Sequence, residues 1–227
     1  MSRLLSLSVT VAAAMLASAA SAEPPAGSRI DPAPGSVRRQ EVEDDGAALR
    51  VMHTYALCVA RSRPAWAEEM IALPLMSAEQ YAAIRRGQGG YEHCMGYSGL
   101  ELRFRPRALI GGMAEYLIGA RYRAAPLEPV AQLPEEAEVS GPLAARNGYE
   151  FLSLCVVRRN PGAVRELLRT PVTSEAERAA ARRLAPELGP CVPTGQTITF
   201  DAGGLRGMLA VGLFRALAAV TPRTGRN

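Results

Sequence analysis

Apolar residues recur at helical spacing in two long stretches of this chain, and each stretch is broken by the same kinds of stop signal. Ala48, Met52, Tyr55 and Val59 fall on one helix face, as do Ala145, Tyr149, Leu152 and Val156. First helices are therefore predicted over 45–62 and 142–159. Pro64 and Pro161 stand where second helices begin, a position at which a missing N–H costs nothing, and Asn160 is placed to cap the later one. Ser77–Gln80 and Ser174–Glu177 match the S-x-x-E/Q box that opens a third helix. These third helices are predicted to end near Arg85-Arg86 and Arg182-Arg183, whose charge suits the negative helix end. Leu100–Phe104 and Gln196–Phe200 alternate like short strands. A single strand cannot satisfy its own backbone, so the two are expected to pair as a ribbon. Last helices are predicted over 107–121 and 202–219, with Asp201 as an N-cap. Leu109, Met113 and Leu117 of one would face Leu205, Leu209 and Leu213 of the other, with Gly111 and Gly207 allowing close approach.

The likeness between these stretches extends to residue identity. A shift of 97 positions superposes Leu57-Cys58-Val59 on Leu154-Cys155-Val156 and Cys94 on Cys191. It also carries Arg61, Pro64, Glu69, Pro74, Ser77, Ala82, Ala83, Arg85 and Arg86 onto identical residues. After a one-residue slip, Gly99, Phe104, Leu109, Gly111, Ala114, Leu117 and Ala120 meet their own kind, which makes 20 identities across positions 57–120. The expected fold is mainly α: two tandem copies of a helix–helix–helix–short strand–helix unit, 44–121 and 141–221, packed as one pseudo-twofold domain. Residues 122–140, with Pro126, Pro129 and Pro134, read as a linker between the copies.

The ends of the chain carry a different pattern. Arg3, the apolar run Leu4–Ala17 and Ala20-Ser21-Ala22 before Glu23 have the order of an export signal over residues 1–22. The proline-rich 23–43 reads as a disordered tail, and 222–227 as a short C-terminal one. Beyond the signal no uninterrupted apolar run reaches the roughly 18 residues of a bilayer span, so a periplasmic or secreted location without a membrane segment is expected.

Export decides how the cysteines are read. In an oxidising compartment four of them point to disulfides rather than to metal ligands. The equal spacings of 36 favour Cys58–Cys94 with Cys155–Cys191, each copy closing its own loop. The rival pairing, Cys58–Cys155 with Cys94–Cys191, requires equivalent sites to meet across a symmetry axis. All 26 basic residues are Arg, and the net charge of +4 is small and interleaved with Glu. That balance offers no argument for nucleic acid as a partner.

Catalytic motifs are scarce. Gly96-Tyr97-Ser98-Gly99 lacks the G-x-S-x-G order of a nucleophile elbow. Glu92-His93-Cys94 mixes metal-ligand types, but a cysteine held in a disulfide cannot ligate as a thiolate. No phosphate-cradling glycine loop or C-x-x-C is present, and no cofactor is expected. The residues peculiar to the first copy are His53, Trp66 and His93, which face Glu150, Ala163 and Pro190 in the second. Together with Tyr91 and Tyr97 they are the candidate binding residues. Two readings stand, with a structural envelope component as a third. One is a non-catalytic binding or interaction protein, taking a protein or small ligand of the cell envelope in a groove between copies or on the N-terminal tail. It carries no cluster of buried ionisable groups. The other is a periplasmic hydrolase with a single site near His53, His93 and Glu92.

Overall fold

The computed structural model describes residues 45–87, 92–95, 106–135, 139–192 and 202–221. Among them the chain is mainly helical. The helices are α1 (Asp45–Ser62), α2 (Pro64–Ala72), α3 (Ala78–Gly87), α4 (Pro106–Arg121), the short α5 (Glu128–Ala131), α6 (Gly148–Arg159), α7 (Pro161–Arg169), α8 (Glu175–Leu188) and α9 (Ala202–Val220). Short 3₁₀ turns at Glu92–Met95 and Gly189–Cys191 follow α3 and α8 and carry Cys94 and Cys191. Cys58 is bonded to Cys94 and Cys155 to Cys191, with Cα–Cα distances of 5.6 and 5.7 Å. The predicted strands at 100–104 and 196–200 and the cap Asp201 lie outside the described residues, among which no strand occurs.

Local signals set most helix ends. Pro64 and Pro161 each occupy the first turn of a helix, and the Asn160 side chain accepts the Ala163 N–H at 3.0 Å. Ser77 and Ser174 accept the N–H of Gln80 and Glu177. The reciprocal arm of the capping box is displaced by one residue. Pro74 and Pro171 carbonyls take the serine N–H groups, so Gln80 and Glu177 reach back to the N–H of Met76 and Thr173 instead. Met76 and Thr173 both sit at φ 64°, a left-handed conformation that costs non-glycine residues about 1–3 kcal/mol and persists where surrounding bonds over-determine it.

Two boundaries differ from the sequence expectation. Helix α6 starts at Gly148 rather than 142, because Asn147 caps it by accepting the Glu150 N–H at 3.1 Å. Helix α8 runs past Arg182-Arg183 to Leu188, since no glycine interrupts it before Gly189, whereas α3 stops at Gly87. Arg182 and Arg183 therefore serve as mid-helix partners of Glu175 and Glu166, at 3.1 and 2.5 Å, rather than as a charged helix end.

The core is built around the α4–α9 pair, flanked by α1 on α4 and by α6 on α9. The crossing point is fixed by two glycines. A Cβ on Gly111 would fall 2.1 Å from the Gly207 Cα, and one on Gly207 would fall 2.3 Å from the Arg107 carbonyl oxygen. No side chain fits there. Helix α9 is buried nearly all round, through Met208, Leu209, Ala210, Val211, Leu213, Ala216 and Leu217. Its Gly203–Val220 stretch is long and apolar enough to cross a membrane by length and composition, yet 72% of it is buried inside the fold, as in a core helix. The segment between the two cysteine pairs is packed rather than loose: Tyr122 stacks edge-on to Phe214 at 5.9 Å, and Val130 of α5 is fully buried.

Contacts also brace each half of the chain against the other. Arg50 of α1 donates to Thr173 Oγ1 at 2.7 Å, and Asn147, 97 positions later, donates to the Leu75 carbonyl at 2.7 Å. Arg146 reaches the carbonyls of Ala72 and Leu73, and Glu150 accepts the Leu75 N–H at 2.9 Å.

Candidate functional site

The two histidines are partnered separately. His53, on α1, is half-buried and places Nε2 2.9 Å from Glu115 Oε2. His93 is exposed in the Glu92–Met95 turn, with Nε2 3.3 Å from Ser62 Oγ and 3.4 Å from Cys94 Sγ. Ser62 lies nine residues beyond His53 on α1, about 13 Å along the helix axis. Cys58, His93 and Cys94 do cluster, but both sulfurs are spent in the disulfide and offer no thiolate. Trp66 is a core residue packed beneath Gly87, with the Arg63 guanidinium 5.7 Å from its ring centre. Tyr91 and Tyr97 lie outside the described residues.

Instead of a histidine site, the molecule holds a buried ionic cluster, contrary to what the binding reading expected. Arg206 of α9 grips both oxygens of Glu115 on α4 at 2.8 and 2.7 Å. Its Nη1 reaches Glu177 Oε1 at 2.9 Å and the Leu167 carbonyl at 3.2 Å, and Nη2 also donates to the Leu168 carbonyl at 2.9 Å. Burial by itself would raise the Glu115 pKa, but the hydrogen bonds from Arg206 and His53 outweigh it and hold the carboxyl below its ordinary value. Burial likewise disfavours the Arg206 charge, and Glu115 and Glu177 more than restore it. Every charge has a partner, so the cluster ties α1, α4, α8 and α9 together. It forms because α9 carries Arg206 within its apolar face, where an unmatched guanidinium would be prohibitive.

Two clefts stand out among the described residues, the smaller of them lined in part by Glu115 of this cluster. The larger, about 550 Å³, is walled by Glu68, Ile71 and Ala72 of α2, Arg121 and Tyr122 after α4, Arg146, and Phe214, Arg215, Ala218 and Ala219 of α9. Its charges are largely consumed by its own walls. Arg121 pairs with Glu68, while Arg146 and Arg215 converge on the buried Glu150 at 2.7 and 3.2 Å. Burial acts to raise the Glu150 pKa, but Arg146 and the backbone N–H groups of Leu75 and Arg146 bring it below its ordinary value.

The smaller cleft, about 170 Å³, lies between α4 and α7 and is lined by Glu115, Ile118, Gly119, Tyr122, Arg123, Arg165, Leu168 and Arg169. The shift of 97 carries Glu68, Ile71 and Ala72 onto Arg165, Leu168 and Arg169, and the shift of 96 carries Ile118, Gly119, Tyr122 and Arg123 onto Phe214, Arg215, Ala218 and Ala219. The two clefts therefore use corresponding positions with different chemistry. In the smaller one Arg165 donates through Nη1 to the Ala125 carbonyl at 2.8 Å, while its Nη2 is buried with no hydrogen-bond partner. Desolvation, and then the nearby charge of Arg169, lower the Arg165 pKa.

Sequence reasoning missed Glu115, Arg206 and the arginines of both clefts. Their signal was a charge set inside an otherwise apolar helix, at Arg206 and Arg215 in 202–220 and at Glu115 in 109–118. No protein-family model, curated protein or solved structure matches this chain.

Proposed function

We propose that the chain is an exported, non-catalytic binding protein of the cell envelope, formed from two duplicated copies packed about the Gly111–Gly207 crossing, and that it holds its ligands in the clefts flanking α4 and α9. The observation that carries this reading is the larger cleft. Its volume lies within the roughly 300–1,000 Å³ of small-ligand sites, and it has an aromatic edge at Tyr122 and Phe214 and internally paired charges. Duplication is supported by the matching order of α1–α4 and α6–α9, the left-handed Met76 and Thr173 at 97 positions' separation, and the reciprocal braces from Arg50 and Asn147.

Thermal melts of the purified protein against fractions of a cell-envelope extract test the binding reading. A fraction that raises the melting temperature of the wild type but not of Ala219→Trp, which obstructs the larger cleft, supports it. Failure of every fraction to shift the wild type rejects it.

A second reading, a hydrolase in the first copy, keeps one specific observation: Ser62 Oγ lies 3.3 Å from His93 Nε2. Covalent labelling by a fluorophosphonate probe, lost in Ser62→Ala, would establish it. Absence of labelling removes it.

A further inference from the structure

The smaller cleft differs from its counterpart in one respect that bears on ligand chemistry: its positive charge is not matched by its walls. Glu115 is the carboxylate in its lining, and both oxygens of Glu115 are already held by Arg206 and His53. Glu128 acts on Arg165 only through space. Around the mouth stand Arg123, Arg165 and Arg169, and among the described residues none of them has a carboxylate within ion-pairing distance. The Arg165 guanidinium has used one nitrogen on a backbone carbonyl and keeps Nη2 buried and unsatisfied. An unfilled buried donor on a charged group is costly, and a side-chain shift that turned Nη2 toward the cleft would let an incoming acceptor relieve it. The interior beneath is apolar, formed by Ile118, Tyr122 and Leu168, with Gly119 leaving the space above α4 open. A cavity of about 150 Å³ with apolar walls takes a benzene-sized body, and this one measures about 170 Å³.

We propose that this cleft is a binding site for a small amphiphilic carboxylate, with the apolar body between Ile118, Tyr122 and Leu168 and the carboxylate on Arg165 and Arg169. Arginine suits that head because its planar fork meets both carboxylate oxygens. The corresponding position in the larger cleft presents Glu68 where this one has Arg165, and Ala72 where it has Arg169, so the pair of arginines that would hold the carboxylate is absent from those positions there. The inference rests on the reading of the protein as a binding module and specifies what the smaller cleft takes.

Isothermal titration of the full-length chain with 3-phenylpropanoate and with its neutral analogue 3-phenylpropan-1-ol decides the matter. The acid is expected to bind at least tenfold more tightly than the alcohol, and to weaken as salt rises through the range that screens exposed charges. Arg165→Gln and Arg169→Gln are each expected to weaken the acid ten- to a hundredfold and leave the alcohol unchanged, and Gly119→Phe to abolish both. Arg178→Gln, on the exposed face of α8, is the charge-matched control and should change nothing. Arg169 is exposed, so its variant reports even if Arg165→Gln compromises folding. Equal affinity for acid and alcohol, or insensitivity of the acid to both arginine variants, overturns the proposal, as does the absence of binding. That last result leaves the broader binding reading standing if an envelope fraction still stabilises the wild type and not Ala219→Trp.

Discussion

The two halves of this molecule answer the same packing problem with different chemistry. In each, a helix bearing the first cysteine leads into a proline-started helix, a left-handed residue before a serine cap, a turn bearing the second cysteine, and a long helix that crosses its counterpart at a glycine. Where the first half places Ile110 on its long helix the second places Arg206, and where the second places Val211 the first places Glu115. Gln80, reaching the Met70 carbonyl at 3.0 Å, stands where Glu177 receives Arg206. The shared features are those that hold a backbone in shape. The differing features are long-range partners and cleft walls.

Substitutions that break the comparison are expected to rank by how much of the shared frame they touch. Gly111→Leu inserts a side chain into the backbone of α9, and the expected result is loss of the cooperative thermal transition and of α-helical circular dichroism. Arg206→Ile gives the second half the residue of the first but strands Glu115 and Glu177. Removing one partner of a buried ion pair costs about 3–5 kcal/mol, read as a drop in chemical-denaturation midpoint. Adding Glu115→Val and Glu177→Gln, which complete the exchange to the residues of the corresponding positions, should recover most of that loss. A triple variant no more stable than the single one would contradict the view of the cluster as a matched set.

Opening one bridge at a time compares the halves directly. Each closes a loop of similar length, worth roughly 3–4 kcal/mol in the chain-entropy account, so Cys58→Ala/Cys94→Ala and Cys155→Ala/Cys191→Ala should lower stability by similar amounts. Acidification gives a smaller, graded effect. Glu115 and Glu150 have folded pKa values below their ordinary 4.5, so the stability they contribute is complete above about that pH and declines as pH falls through the folded values. Arg206→Ile should flatten the part of this decline due to Glu115 in acid-unfolding curves. The smallest effect is favourable. Gly119 has open space around a built Cβ, so Gly119→Ala should stabilise α4 by about 0.5–1 kcal/mol, in contrast to Gly111 two turns earlier on the same helix.

What the sequence made legible was local. The mainly helical character, the proline starts, the Asn160 cap and the serine caps each depend on residues within a few positions of one another, and the structure contains them. The start of α6 was misjudged because the Asn147 cap lies beyond apolar positions that fit the same periodicity, and the end of α8 because paired arginines resemble a helix terminus whether or not the helix ends. The charges of the ionic cluster stood out within apolar helices, but their pairing could not be read: Glu115 and Arg206 are 91 positions apart, and the α4–α9 crossing brings them together. The clefts depend on the same long-range geometry, and no spacing in the chain announces them.

The arginines of α9 have a consequence outside the folded state. A stretch as apolar as Gly203–Val220 resembles a stop-transfer segment, and if the chain is exported as proposed it would risk lodging there in the lipid bilayer. Each arginine opposes that partition by up to about 2.5–3.5 kcal/mol at mid-helix depth. Arg206 and Arg215 would thus steer the emerging chain clear of the membrane before their carboxylate partners are in place, and Arg206→Leu/Arg215→Leu should divert it from the soluble to the membrane fraction. An undiminished soluble yield would show that they act only after folding.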